Sequence, residues 1–122
     1  MSDASDINRI VLRAHDAQVE AGWWTDPITR VRKERNKGEL IALMHSELSE
    51  MLEAVRKNLM DDKLPLRKGE EVELADLFIR MCDYAGAFNL DIGAAFEEKM
   101  RYNAQRVDHM LANRAKAGGK QF

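Results

Sequence analysis

Four acidic residues stand in two pairs with the same internal spacing. Glu47 and Glu50 form the first pair, and Glu73 and Asp76 form the second. Because a spacing of three residues places two side chains on one face of a helix, each pair can present both carboxylates in one direction. Oxygen ligands of this kind are the ones that Mg²⁺ prefers. Two antiparallel helices that carry one pair each are therefore expected to hold metal ions between them.

The first pair lies in a segment with a strong helical pattern. Apolar residues recur every three or four positions between residues 37 and 57. Glu47 falls inside this apolar arc, whereas Glu50 falls at its rim. A carboxylate that points into a core is costly unless it meets a cation or a metal. The alternative is a helix rotated slightly, so that Glu47 reaches solvent.

The second pair belongs to a polar stripe on the next helical segment, formed by Glu73, Asp76, Arg80 and Asp83. The opposite stripe is apolar and consists of Ala75, Phe78, Ile79, Cys82 and Ala85. Taken alone, such a polar stripe is most simply a solvated face. If it faces the first pair instead, four carboxylates meet, and only cations make that arrangement tolerable.

Side chains that can bind anions occur nearer the C-terminus. Lys99 and Asn103 are predicted to share a helix face with Phe96 and Met100, and Arg106 lies at the edge of that face. An inward lysine needs an anion. Lys99 is therefore expected either to form a salt bridge with one of the acids or to contact a phosphate chain beside the metals.

Four helical segments are predicted to position these groups, at residues 5–21, 37–57, 70–88 and from a cap at Asn89 or Asp91 to about Asn113. Pro27 and Pro65 lie in the polar connections, and no strand pattern is present. The prediction is an all-α four-helix bundle. Residues 1–114 are expected to form a single domain, followed by a flexible tail at 115–122.

Composition narrows the possible partners. The 122 residues include 21 acidic and 19 basic side chains, so the net charge of −2 gives no electrostatic reason to bind nucleic acid. The short basic run at residues 30–35 is expected to be solvated surface or a subunit contact. A single cysteine, the absence of a signal-peptide pattern and the absence of a long apolar run predict a cytoplasmic protein without a membrane partner. For a phage-encoded chain this would be the host cytoplasm.

The ordered set of motifs resembles the MazG-like all-α nucleoside triphosphate pyrophosphohydrolases. That family has an ExxE helix, a variable connection, an ExxD helix and then a helix with lysine and asparagine one turn apart. The matching segments are ALMHSELSEMLEAVRK, EVELADLFIRMCDYA and EEKMRYNAQR. The resemblance covers about residues 23–108. The Gly22-Trp23-Trp24 segment is similar to short phage and bacterial members, and one phage branch, MazZ, acts on deoxypurine triphosphates.

This resemblance implies a hydrolase that converts a (deoxy)nucleoside triphosphate to its monophosphate and pyrophosphate, in control of the nucleotide pool. It implies Mg²⁺, replaceable by Mn²⁺, on four catalytic ligands: Glu47, Glu50, Glu73 and Asp76. It implies phosphate contacts from Lys99, Asn103 and Arg106. Trp23 or Trp24 is expected to stack on the base, and for each of them a place in the core or a subunit interface is an equal alternative. A homodimer or homotetramer is also implied.

Other classes of protein remain as alternatives. A non-catalytic helical module that binds nucleotides would carry the same acidic pattern, and only turnover separates it from the enzyme. A di-iron bundle is disfavoured because none of the three histidines has a glutamate three residues before it. A purely structural bundle would not explain why Glu47, Lys99 and Asn103 all point inward.

Overall fold

The computed structural model describes residues 2–122, in which the regular structure is entirely helical. The α-helices are α1 (Asp3–Glu20), α2 (Lys37–Lys57), α3 (Gly69–Ala87), α4 (Ile92–Gln105) and α5 (Leu111–Arg114), and a 3-10 helix, Val107–His109, lies between α4 and α5. The predicted all-α class is confirmed. None of the helices in this part of the chain combines the length and the apolar character that a membrane crossing requires.

The described chain forms two compact units. The central unit comprises residues 10–90, and the terminal unit comprises residues 2–9 together with residues 91–122. The acidic pairs all belong to the central unit. Lys99, Asn103 and Arg106 belong to the terminal unit, and the expectation of one domain over residues 1–114 stays a prediction.

In the central unit, α2 and α3 form an antiparallel hairpin. Ala54, near the end of α2, lies against Gly69 at the start of α3. Glu47, earlier in α2, is ion-paired with Arg80, further along α3. A Cβ on Gly69 would lie 2.9 Å from the Cβ of Ala54, so the close approach of the two helices requires glycine at that position.

Local capping sets the ends of α2. The Asn36 side chain accepts a hydrogen bond of 3.0 Å from the Glu39 amide at the N-terminus. At the other end Asn58 adopts the left-handed conformation, and its amide donates to carbonyls of the last turn. Both ends coincide with the predicted range 37–57.

The core of the central unit consists of the buried side chains of Val11, Trp24, Leu40, Ala54, Cys82 and Ala85. Cys82 is 1% exposed, as expected for a structural thiol, and burial raises its pKa. His15 on α1 packs closely on Gly86 of α3, where a Cβ would lie 2.6 Å from the His15 Cβ. The second glycine contact thus lets α1 pack on α3.

The stripes predicted for α3 are wrong at four positions. Asp83 was expected on the polar stripe and is buried, whereas Ala75, Phe78 and Ile79 were expected on the apolar stripe and are exposed. The Asp83 carboxylate accepts a hydrogen bond of 3.0 Å from Trp24 Nε1, and its Oδ1 lies 2.7 Å from His15 Nδ1. These partners offset the cost of burying the charge, so α3 turns its Asp83 side inward.

In the terminal unit the start of α1 packs on the start of α4. Asp91, not Asn89, caps α4 by accepting a hydrogen bond of 3.0 Å from the Ala94 amide. The amide of Gly93 donates to the Asn8 side chain at 3.0 Å. A Cβ on Gly93 would lie 2.3 Å from the carbonyl oxygen of Ala4, so glycine is required at this contact as well.

The fourth predicted helix is shorter than expected. It ends at Gln105 instead of about Asn113, and Arg106 is extended. The Arg106 guanidinium donates two hydrogen bonds, of 3.1 and 2.8 Å, to the carboxylate of Asp108. Side chains two residues apart do not face each other on an α-helix, so this ion pair favours the break. Lys120 also pairs with Asp108, at 3.0 Å, and the flexibility of the tail stays a prediction.

Candidate metal centre

The α2–α3 hairpin brings three of the four predicted ligands together. Oxygen atoms of Glu47, Glu73 and Asp76 all lie within 4.8 Å of one another. Glu47 comes from α2, and the other two come from α3, where the three-residue spacing puts them on one face. A single hard cation could therefore contact all three carboxylates.

The burial of Glu47 and of one carboxylate oxygen of Glu73 makes this group unusual. The Glu47 side chain is only 9% exposed, and its Oε1 accepts a hydrogen bond of 2.9 Å from Arg80 Nε. Its Oε2 and the Oε2 of Glu73 are both buried and have no hydrogen-bond partner among the described residues. Buried carboxylate oxygens in proteins nearly always have a partner. Two orphaned oxygens in one cluster fit a cation that both would contact.

The raised pKa values of two of these carboxyl groups also favour a bound cation. Burial, reinforced by the neighbouring Glu47 and Glu50, raises the pKa of Glu73 from 4.5 to about 8. Burial and the charge of Glu47 also raise the pKa of Asp76, although the positive charge of Arg80 opposes this rise. Without a cation, the cluster resists carrying its full negative charge. A divalent ion would restore the charged forms.

Glu50 stands at the edge of this cluster. It is exposed, and it lines a pocket of about 230 Å³ together with Glu73 and the loop residues Asp61 and Asp62. Glu50 is close enough to Glu73 to contribute to the raised pKa of that carboxyl group. Glu50 thus shares this pocket with Glu73 and lies beside the group of three.

A cavity of about 420 Å³ adjoins the cluster within the central unit. Its lining residues are Gln18, Trp23, Arg35, Leu43, Glu47, Asp76, Ile79, Arg80 and Asp83. The lining includes three carboxylates, two guanidinium groups and one indole. Ligand pockets in proteins commonly have this size and this mixture of apolar surface with a few charged groups.

Two arginines of this cavity were not predicted as site residues. Arg80 was noted only as part of a polar stripe, yet it lies one turn after Asp76 and pairs with Glu47. Arg35 was included only in the basic run, yet it lines the cavity, and its guanidinium carbon is 5.1 Å from the Trp24 ring. The signal for Arg80 was its i+4 spacing from Asp76. No sequence signal marked Arg35.

The two neighbouring tryptophans have different environments. Trp24 is 3% exposed, and its indole nitrogen donates to Asp83. Its ring is enclosed by His15, Phe88 and two arginines, so it is not open to a nucleobase. Trp23 is 61% exposed and lines the cavity. Of the two predicted base contacts, only Trp23 is accessible.

The three predicted phosphate contacts lie in the terminal unit. Lys99 is exposed, and its Nζ is 4.8 Å from the centre of the Tyr102 ring, so it does not point into a core. Asn103 is half-buried, and its Oδ1 has no hydrogen-bond partner among residues 2–122. Arg106 is held by Asp108, which raises the pKa of the guanidinium further.

Comparisons of the chain with protein-family models, with curated proteins and with solved structures find no match. The geometry of the central unit therefore carries the functional argument. It offers three clustered carboxylates for a divalent cation, two guanidinium groups for anions and one accessible indole for a planar ring.

Proposed function

We propose that the chain is a metal-dependent hydrolase that converts a (deoxy)nucleoside triphosphate to its monophosphate and pyrophosphate. The observation that carries this proposal is the group of Glu47, Glu73 and Asp76, with two orphaned oxygens. Glu47 and Asp76 of this group also line a cavity that contains two guanidinium groups and an indole. The resemblance of the motifs to the MazG-like family supports the same reaction and suggests deoxypurine triphosphates among the substrates.

The three acids would hold Mg²⁺ or Mn²⁺, with Glu50 as a further ligand at the edge. When bound, such an ion supplies Lewis acidity toward phosphate oxygens and makes water more acidic. The donor set is suitable because all the candidate ligands are carboxylate oxygens, which these hard ions prefer. The separation of at most 4.8 Å between the oxygens requires only side-chain adjustment to reach a common ion.

The residues of the chain would then bind and orient the substrate. Arg35 would attract the phosphate chain into the cavity, and the exposed ring of Trp23 would stack on the base. Water adds its oxygen to the α-phosphorus, the bond to the bridging oxygen breaks and pyrophosphate leaves. Glu47 or Glu50 would accept the proton of the attacking water. Lys99, Asn103 and Arg106 would stabilise the charge on the leaving pyrophosphate, as the resemblance implies.

The test is to incubate the purified protein with each nucleoside and deoxynucleoside triphosphate and Mg²⁺ or Mn²⁺, and to measure pyrophosphate. We expect pyrophosphate and a monophosphate in equal amounts. Orthophosphate as the product, or no turnover of any nucleotide, would refute the proposed reaction. The same panel gives the base and sugar specificity, with deoxypurine triphosphates expected among the best substrates.

Single amide variants test the role of the acids. Glu47→Gln and Asp76→Asn should each lower turnover by at least about a hundredfold, since each removes a charged ligand while keeping the side-chain shape. The matched control is Glu39→Gln, an exposed change at the start of α2. Circular dichroism should show unchanged helix content in all of them. Equal activity in the control and the two site variants would contradict the assignment.

A second candidate is a nucleotide-binding module without turnover, because the same cavity could hold a nucleotide without hydrolysing it. Tight binding of triphosphates with Mg²⁺ and no release of pyrophosphate would favour this alternative. Binding is measured by calorimetry under the conditions of the turnover assay. Release of pyrophosphate by the wild-type protein, abolished in Glu47→Gln, would exclude this binding module.

We also propose that the protein acts as a homodimer or homotetramer. Support comes from the exposed apolar face of α3, where Leu74, Phe78 and Met81 line a groove of about 520 Å³. Contiguous apolar surface of this kind commonly marks an interface. Light scattering coupled to size-exclusion chromatography gives the mass in solution, and a monomer at micromolar concentration would contradict the expected assembly.

A further inference from the structure

Arg80 is the only cation that forms an ion pair with the acidic group within residues 2–122. Its Nε donates to Glu47 Oε1 at 2.9 Å. The guanidinium thus offsets part of the negative charge of the group. It occupies one oxygen of Glu47, while the other, Oε2, is buried without a partner.

The remaining donors of Arg80 have no partner in the part of the chain that the structure describes. Only Nε is hydrogen-bonded among the described residues, and the side chain is 39% exposed at the wall of the 420 Å³ cavity. A guanidinium group has five N–H donors in a planar fork, which matches the geometry of phosphate oxygens. Arg80 is therefore placed to contact an anion in the cavity while it remains close to the carboxylates.

We propose that Arg80 is an exchangeable counter-ion, which neutralises Glu47 in the cation-free protein and binds a phosphate group of the substrate once a divalent cation has replaced it on Glu47. The inference rests on the proposed function, because it places the polyphosphate in the same cavity. Arg80 and a divalent cation compete for one carboxylate, and positive charges at this distance repel each other. An incoming phosphate would give the displaced guanidinium a new partner.

A competing role and a structural role of Arg80 predict opposite changes in cation affinity when the residue is removed. If Arg80 only holds Glu47 in position, its removal should weaken both cation binding and phosphate binding. If Arg80 competes with the cation, its removal should strengthen cation binding and weaken phosphate binding. The two affinities therefore distinguish the roles without any measurement of turnover.

The experiment compares the wild-type protein with Arg80→Gln, Arg80→Lys and the control Arg56→Gln, which changes an exposed arginine on α2. Mn²⁺ binding in the absence of nucleotide is followed by calorimetry or electron paramagnetic resonance. We expect Arg80→Gln to bind Mn²⁺ about tenfold more tightly, because a repelling charge within a few ångströms is lost. Arg80→Lys, which keeps the charge, should remain close to wild type, as should the control.

The second measurement uses inorganic pyrophosphate at saturating Mn²⁺. We expect Arg80→Gln to bind pyrophosphate about tenfold more weakly, since charge-assisted hydrogen bonds to phosphate are lost. Arg80→Lys should recover part of this affinity, because a lysine is a point charge without the planar fork. Circular dichroism of each variant should match that of wild type, and Arg80→Lys keeps the test valid if Arg80→Gln unfolds.

Weaker Mn²⁺ binding by Arg80→Gln, or unchanged pyrophosphate binding, would overturn the inference and leave the proposed reaction untouched. The expected pair of affinity changes in a protein that releases no pyrophosphate from any triphosphate would instead refute the proposed reaction while the exchange of Arg80 stands. A wild-type protein that does not bind Mn²⁺ would overturn both.

Discussion

The raised pKa of Glu73 makes the stability of the metal-free protein depend on pH. Its pKa is about 8 in the folded protein, against a usual value of 4.5. Between these pH values the folded state holds a proton that the unfolded chain has lost. Stability contributed by this proton is therefore present at low pH and is lost as the pH rises from about 4.5 to about 8.

The size of the effect follows from this interval. For a carboxyl group fully shielded from water, the difference between 4.5 and about 8 corresponds to about 5 kcal/mol. Because solvent reaches part of Glu73, we expect roughly half of this value, about 2 kcal/mol. Glu73→Gln removes the titrating group. At pH 8 without metal, the variant should be more stable than wild type by about that amount, whereas at pH 4.5 the two should be similar.

The assay is urea unfolding, followed by circular dichroism, at pH 4.5 and pH 8 in the presence of a chelator. The comparison uses the difference between wild type and variant, so other titrating groups cancel. Glu39→Gln is the control, because this exposed glutamate forms none of the ion pairs found in residues 2–122. Its stability should follow wild type at both pH values.

Divalent metal should reverse the order of stability. At a concentration one hundred times its dissociation constant, Mg²⁺ or Mn²⁺ should stabilise wild type by about 2.7 kcal/mol and the variant by much less. The reasoning is refuted if Glu73→Gln is less stable than wild type at pH 8 with chelator. It is also refuted if metal stabilises the two proteins equally.

Five further variants test other parts of the structure. Trp23→Ala should raise the KM for nucleotide roughly tenfold without unfolding the protein, since stacking on a base is lost. Trp24→Ala should instead lower the free energy of unfolding by about 4 kcal/mol, because a buried ring is removed. The opposite pattern would contradict an accessible Trp23 and a buried Trp24. Asp83→Asn should cost about 2 kcal/mol in urea unfolding, because a buried charged acceptor is removed from its donors, and a neutral effect would argue against that network. Gly69→Ala should cost about 2 kcal/mol because its Cβ would crowd α2, which a lowered melting temperature would reveal. Phe78→Ser should reduce the oligomer mass in light scattering while leaving helix content unchanged, and an unaltered mass would exclude this face as the interface.

The sequence predicted the helices best where their ends are set locally. The range 37–57 was predicted correctly because Asn36 and Asn58 cap it through their own turns. The end of the fourth helix was missed because no glycine or proline marks it. There an ion pair between Arg106 and Asp108 stops the helix, and the pattern of apolar residues does not record it.

The candidate site was predicted in part. Three of the four carboxylates meet because the spacing on each helix is fixed by the geometry of the helix itself. Arg80 and Arg35 were overlooked because their roles depend on which helix and which loop lie opposite them. The expected inward position of Lys99 was wrong, since this residue is exposed beside Tyr102.

By itself, the sequence determined the all-α class, the range of α2 and the residue types that could bind a cation, because these depend on spacing along the chain. Only the tertiary structure decided how α3 is rotated, which tryptophan is buried and which cation pairs with Glu47. The rotation of a helix about its axis is set by what packs against it. On α3, hydrogen bonds from Trp24 and His15 make Asp83 an acceptable buried residue and leave Phe78 outside. No pattern within one helix contains the partners that settle that choice.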